Sequence, residues 1–299
     1  MRELIPEIIR LHVWRAVRRG RQILQRFRFR RDVRSAEAAY CAEPPSNQTA
    51  IDIFKGTWTS AFPPEYGVSA GSLDSFDDVR VRWAAGVLPG GFTDLSILEL
   101  GPYEGYTAWQ FERRGARAVT AVEANDLNFL KALVVKEVTG FKARLLFGDF
   151  ARYLEGTAER FDLVWASGVL YHSTDPLRLL DLISGVTDAV FIHTHYYAPQ
   201  IAASSPHAFS FFEPGRDRIA GIAPGAGADG PFASLHYKAY GQLKRGSFSG
   251  GPAEHSYWME KDDIFAALRA RGFNDIQVGV DDPGNPNGPA MFCLARRIS

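Results

Sequence analysis

The chain has 299 residues, 46% of them hydrophobic, and its 34 basic and 34 acidic side chains balance to zero. That is enough for one large domain with appendages or two modest ones, each with a real core. Two distant cysteines, Cys41 and Cys293, give no support to a disulfide framework or a zinc site. No apolar run approaches the roughly 18 residues of a spanning helix, and the N-terminus lacks a signal-peptide pattern, so a cytoplasmic protein is expected.

The neutral total hides an asymmetry. Residues 1–34 carry eleven arginines against Glu3, Glu7 and Asp32, so this segment is +8 and the remainder −8. Ile5, Ile9, Val13 and Val17 recur at helical spacing among the arginines, as in a basic amphipathic helix. Two readings stand: an arm that contacts nucleic acid or an anionic membrane surface, and a solvated helix packed on its own domain. Residues 1–48 then form a basic extension ending in a linker, CAEPPSNQ. Residues 49–94, rich in aromatics and turn residues, read as a lead-in or lid with a helix at 74–87.

From Leu95 apolar runs alternate with helical segments, the βαβ spacing of a parallel sheet. Strands are expected at 96–100, 118–124, 143–147, 161–167 and 189–196, with helices at 105–114, 126–138, about 150–156, and 176–185. The regular pattern stops over 198–257, where Gly, Ser, Pro and aromatic residues suggest an irregular functional insertion. It resumes with the helix MEKDDIFAALRARGF, the strand DIQVGV, a PGNPNGP turn and the strand AMFCLARR, the last two antiparallel. The fold class is α/β: a doubly wound, Rossmann-like sheet of seven strands with the last antiparallel, filling a domain over 95–299.

In such a sheet ligands bind beyond the carboxyl ends of the strands, where the first loop meets the first helix. LELGPYEGYTA (98–108) sits there, with Gly101, Pro102 and Gly105 in the turn and Glu99 at the strand end. Glu123, 22 positions after Gly101, stands where a carboxylate accepts bonds from two ribose hydroxyls, with Ala124 beside it. Asp149 ends the third strand where it could accept from an exocyclic adenine amine, with Phe150 beside the ring, and Ser167 ends the fourth. A dinucleotide loop needs a central glycine so that backbone can approach the pyrophosphate. Tyr103 occupies that place, which points to S-adenosyl-L-methionine, a cofactor without phosphate whose amine Glu99 can face. A strand-to-helix turn also wants glycine whatever the ligand.

The order LELGPYEG, VEAN, GDF, FDLVWASGVLYHSTDPL and a terminal hairpin resembles the class I S-adenosylmethionine-dependent methyltransferases, over about 95–196 and more loosely 258–297. The resemblance implies cofactor contacts at Gly101, Gly105, Glu123 and Asp149, with Tyr103 a departure from the usual glycine. GVLYHSTDPLRLL is similar to a stretch of the bacterial enzymes that modify the transfer-RNA wobble uridine with a carboxylated cofactor, and by that analogy Tyr171 faces the transferred group. The further basic residues of that family have no clear counterpart in the C-terminal part, so a carboxylated cofactor is not expected. LELGP and THYY are similar to a bacterial methyltransferase subgroup.

Transfer to a hydroxyl or a protonated amine needs a base, and histidine suits neutral pH. His172, after strand four, and His195, at the end of strand five, fall on the ligand edge and are the candidates, although His172 could instead cap the STDP turn. His193 shares the face of His195 and reads as structural, and no metal site is expected. His207, His236 and His255 could join Tyr196, Tyr197 and Tyr240 around an acceptor, or lie on the surface. FKGTW (54–58) could close over the cofactor through cation–π attraction, with Trp58 equally plausible as core. The first expectation is methyl transfer to an oxygen or nitrogen of a small-molecule or glycan-like acceptor, with the aromatic, glycine-rich insertion forming the acceptor pocket. An RNA-modifying enzyme, a non-catalytic cofactor-binding module and, on fold alone, an NAD-dependent oxidoreductase stay open.

Overall fold

The computed structural model describes residues 40–204, 209–224, 230–240 and 250–298. The basic segment 1–34 and His207 lie outside these. The chain divides into two units at Thr49/Ala50. In the described part of the first, the Ser46 and Thr49 hydroxyls are hydrogen-bonded at 2.8 Å. The second unit holds everything that follows.

Its centre is a seven-stranded sheet in the order β3-β2-β1-β4-β5-β10-β9. The strands are β1 (Ser96–Leu100), β2 (Ala118–Glu123), β3 (Arg144–Phe147), β4 (Leu163–Ser167), β5 (Ala189–His195), β9 (Asp275–Asp282) and β10 (Ala290–Arg296). The pairs among β1 to β5 are parallel, and β10 runs antiparallel to both β5 and β9. The first five strands follow the apolar runs to within two residues. The central strands are buried on both faces, which is why they read as continuous apolar runs.

Alternation sends the side chains to two cores. Leu98, Leu100, Val164, Ala166, Val190 and Ile192 face one core, which includes Leu179, Leu180 and Ile183 of the helix Pro176–Val186. Ile97, Leu163, Trp165 and Phe191 face the other. Here the lead-in segment contributes Ile51, Trp58, Phe62, Phe76, Val81 and Phe92, so much of 50–94 is a packed layer of the fold. Trp58 donates from Nε1 to the Ile51 carbonyl at 2.8 Å, and the cation over its ring is Lys131. It is a core residue, and FKGTW does not line the ligand cleft.

The helices are α1 (Asn47–Ile51), α2 (Val79–Val87), α3 (Tyr106–Arg113), α4 (Asp126–Thr139), α5 (Phe150–Gly156), α6 (Pro176–Val186), α7 (Pro199–Ser204) and α8 (Lys261–Ala270). The helix expected over 74–87 is split. Residues Ser75–Asp77 form a 3-10 turn, and α2 starts only after Asp78, whose side chain accepts from the Arg80 N–H as the N-cap.

The expectation of an irregular insertion is corrected over its described residues. Strands β6 (Arg218–Gly221), β7 (Phe232–Ala239) and β8 (His255–Met259) form an antiparallel sheet in the order β6-β7-β8. ASLHYKAY and HSYWM alternate well enough to be strands, but the glycine-rich connections between them masked that pattern. In β7 and β8, Leu235, Tyr237, Tyr257 and Met259 pack into the α6 core, leaving His236, Lys238, Ser256 and Trp258 on the opposite face.

Candidate functional site

Strand order reverses between β1 and β4, and a cleft of about 1140 Å³ opens at their carboxyl ends. Glu99, Gly101, Pro102, Glu123, Ala124, Asp149, Phe150, Ser167, Tyr171 and His172 all line it. Gly105 and His195 do not. Gly105 begins α3 with φ +82°, and a Cβ there would come within 3.2 Å of the Ala132 Cβ, so this glycine serves the packing of α3 on α4. Gly101, at φ +68°, lines the cleft and passes close to Val169.

The departure at Tyr103 has a structural reason. Its backbone is left-handed at φ +56°, its N–H donates to Glu123 Oε2 at 3.0 Å, and its hydroxyl lies 2.8 Å from that of Thr59. Beside it, Glu104 is fully buried, accepts from the Thr59 and Ser60 N–H groups and pairs with Lys131 at 3.0 Å. PYE therefore ties the lead-in segment to the turn.

Two of the carboxylates that line the cleft, Glu99 and Glu123, are buried. Burial pushes the Glu99 carboxyl up to about 8, against a hydrogen bond from Thr107. Its Oε2 is buried with no hydrogen-bond partner among the described residues. Burial also raises Glu123, while the Asn125 N–H at 2.8 Å and the Tyr103 N–H pull the other way. Asp149 caps α5, its Oδ1 accepting from the Ala151 and Arg152 N–H groups, so only Oδ2 is uncommitted there. This donor set fits S-adenosylmethionine. The orphaned Glu99 oxygen suits an ammonium, Glu123 keeps lone pairs for two hydroxyls, and the turn that would meet a pyrophosphate is filled by Tyr103.

Sequence reasoning missed Arg80. From the start of α2 its guanidinium reaches the cleft, where Nη1 lies 2.8 Å from Ser167 Oγ and 2.9 Å from His193 Nδ1, while Nε and Nη2 bind Asp78. Burial works against this charge, but Asp78 outweighs it and Arg80 stays firmly protonated. A guanidinium only donates, so His193 Nδ1 accepts and the ring proton is on Nε2. His193, expected to be structural, lines the cleft, and burial followed by Arg80 holds its pKa down to about 3. DDVRVR reads as a helix start, and nothing in it says that its first arginine crosses to strands 87 and 113 residues away.

The two candidate bases sit differently. His172 lines the cleft, and its Nδ1 lies 2.7 Å from the Tyr240 hydroxyl. Burial, then the charges of Lys238 and His195, lower it to about 4. It does not cap the STDP turn, where Asp175 and Ser173 serve instead. His195 lies behind Tyr171, with ring centroids 4.7 Å apart, and is stacked on Trp258 at 5.1 Å. Its Nδ1 lies 2.8 Å from the Gly288 carbonyl, which can only accept, so Nε2 keeps its lone pair. Burial keeps this ring neutral by lowering its pKa.

Of the other aromatic and histidine candidates, His236 is held between Asp217 and Glu260 and stacked on Tyr197. His255 stacks on Tyr237, and Tyr196 donates to Asp281. Among the described members of this group, only Tyr240 meets a candidate base. Among the described residues no group of three or more His, Cys, Asp or Glu side chains is placed to hold a metal ion, and no helix is long and apolar enough to cross a membrane.

The same fold is found in a solved protein. The N-terminal domain of EvdMO1, solved with SAH bound, superposes with a TM-score of 0.62 over 84% of this chain and 95% of that domain, at 22% identity. The chain has the class I methyltransferase fold. The same EvdMO1 domain, solved in the presence of SAH and D-fucose, gives a TM-score of 0.61 at 23% identity. Against complete EvdMO1 the TM-score is 0.53 at 23% identity, and this methyltransferase fold spans about half, 46%, of that chain. A curated relative, the tRNA U34 carboxymethyltransferase of Actinobacillus pleuropneumoniae serotype 7 (strain AP76), is 31% identical over 90 residues, 30% of this chain and 28% of that protein. No protein-family model matches the chain.

Proposed function

We propose that the chain is an S-adenosylmethionine-dependent methyltransferase acting on an oxygen or nitrogen of a small, glycan-like acceptor. The observation that carries this reading is the buried Glu99 oxygen, unpartnered among the described residues, in one cleft with Glu123 and beside a turn that carries Tyr103 in place of a central glycine. Glu123 holds the ribose hydroxyls, Glu99 the amine, and Asp149 with Phe150 the adenine. Bound there, the cofactor supplies an electrophilic methyl: the bond to the acceptor forms as the sulfur–methyl bond breaks, and the sulfonium becomes a neutral thioether.

The chain's own residues position the acceptor and take its proton. His195 is the base, because its Gly288 contact leaves the Nε2 lone pair free, and the proton of an acceptor hydroxyl passes to Nε2. Tyr171, lining the cleft on one side and touching His195 on the other, orients the reacting groups. The presence of D-fucose with the EvdMO1 domain supports a sugar-like acceptor here.

Calorimetric titration with S-adenosylmethionine and with NAD tests the cofactor. Binding of NAD alone would overturn the reading, and tight S-adenosylmethionine binding without transfer to any sugar, phenol or amine would make the chain a non-catalytic module. The curated relative supports a second reading, an RNA acceptor. Transfer RNA binding that collapses as salt rises, and that needs residues 1–34, would favour it.

A further inference from the structure

The hairpin face formed by β7 and β8 carries polar groups that neither the fold nor the cofactor cleft uses. Lys238 and Trp258 share that face, with His236 directly opposite Trp258 and Ser256 opposite Lys238. The Lys238 ammonium sits over the Trp258 ring at 3.9 Å from its centroid and near Phe212 at 5.5 Å. Aromatic faces attract a cation but satisfy none of the three N–H donors of an ammonium. No carboxylate or hydrogen-bond acceptor meets it among the described residues. Burial draws its pKa down to about 8, and no nearby acid offsets this. Trp258, 1% exposed, likewise leaves its Nε1–H without an acceptor.

A half-buried ammonium without an anion is costly to keep unless it meets one in use. Its position is informative. Trp258 is stacked on His195 and touches Tyr171, and the Lys238 charge bears on both His172 and His195. The cation therefore shares the Trp258 ring with the His195 imidazole, and the same ring meets Tyr171 in the cleft wall.

Building on the methyltransferase reading, we propose that this face is the acceptor subsite and that Lys238 binds an oxyanion of the acceptor, a carboxylate or a phosphate. The substrate class is then an anionic hydroxylated compound such as a uronic acid or a sugar phosphate. Lys238 holds the anion, the hydroxyl to be methylated lies against His195, and the aromatic rings exclude water from both.

The test uses the full chain saturated with SAH, titrated calorimetrically with D-glucose, D-glucuronate and D-glucose 6-phosphate. At least one anion should bind tenfold or more tightly than D-glucose, and which one does so separates carboxylate from phosphate recognition. Lys238→Met should remove that advantage while leaving the SAH affinity unchanged, which also reports that the variant is folded, and Lys238→Arg should retain most of it. Equal affinity for all three sugars, no binding of either anion, or an advantage that survives Lys238→Met would overturn the proposal. Failure to bind SAH would instead overturn the methyltransferase reading on which it rests.

Discussion

The carboxyl edge of the seven-stranded sheet and the packed face of the small sheet both meet Tyr171 and have opposite electrostatic character. On the sheet edge, Glu99 and Glu123 are buried carboxylates, and Arg80, which reaches Ser167 and His193, is neutralised by Asp78. On the hairpin face, Lys238 is a cation over aromatic rings with no acid beside it among the described residues, and the adjacent histidines are neutral. One side suits a ligand carrying a sulfonium and an ammonium, and the other suits an anion.

The largest effect should come from His195→Ala. Methyl transfer is expected to fall by about 10² to 10⁴, the usual range for a lost general base, with the cofactor dissociation constant little changed. Normal turnover would discard His195 as the base and, with it, the functional half of the comparison. Glu123→Ala comes next, acting on the sheet edge. It removes a buried acceptor and leaves the Tyr103 N–H unpaired, so S-adenosylmethionine affinity should drop roughly 10- to 100-fold in calorimetry. An unchanged affinity would remove the ribose assignment.

Glu99→Gln sharpens the comparison through pH. Burial holds this carboxyl at about 8 in the ligand-free protein, above its value of about 4.3 in an unfolded chain. The unfolded state therefore loses its proton first, and ligand-free stability declines as pH climbs from the unfolded value toward 8, beyond which the loss is complete. The Gln variant should escape this decline, with a melting temperature above that of the parent at pH 8 and a gap that closes toward pH 4. Its cofactor affinity should be about tenfold weaker, the cost of losing a charged hydrogen bond. In the parent, a bound ammonium favours ionised Glu99, so binding should release protons and strengthen between pH 6 and 7.5. Calorimetry in buffers of different ionisation enthalpy would measure that release, and its absence would count against Glu99 as the amine partner.

The smallest effect is expected for Gly288→Ala. This residue has φ +104°, and a Cβ would stand 2.9 Å from Trp258, so either the ring or the carbonyl that orients His195 must shift. A loss of about 1–3 kcal/mol in stability is expected from such backbone strain, with turnover down a few-fold and cofactor affinity retained. A fall in cofactor affinity equal to the fall in turnover would mean that the two regions are not independent.

Much of the cofactor edge was legible from local pattern. Strand β1 has the predicted bounds, and the strand ends carrying Glu123, Asp149 and Ser167 were placed because a doubly wound sheet brings its carboxyl ends to one edge. The surroundings of His195 were not. His195 was singled out, but its partners Trp258, Tyr171 and Gly288 come from three separated segments. The small sheet was hidden because β7 and β8 each follow glycine-rich stretches, so their alternation looked like noise in a loop. His193 was set aside as structural because depth along a strand says nothing about which neighbour reaches it.

The amino-acid sequence by itself determined the sheet, its alternation with helices and the turn at Gly101, because those depend on hydrophobic period and backbone conformation within a few residues. Tertiary structure alone decided that Arg80 would cross to Ser167 and His193, that Tyr103 and Glu104 would bind the lead-in segment, and that Lys238 would stand over Trp258 without an anion among the described residues. Each of these is a long-range pairing of polar groups. Such pairings depend on which surfaces the core brings together, and neighbouring residues carry no signal of them.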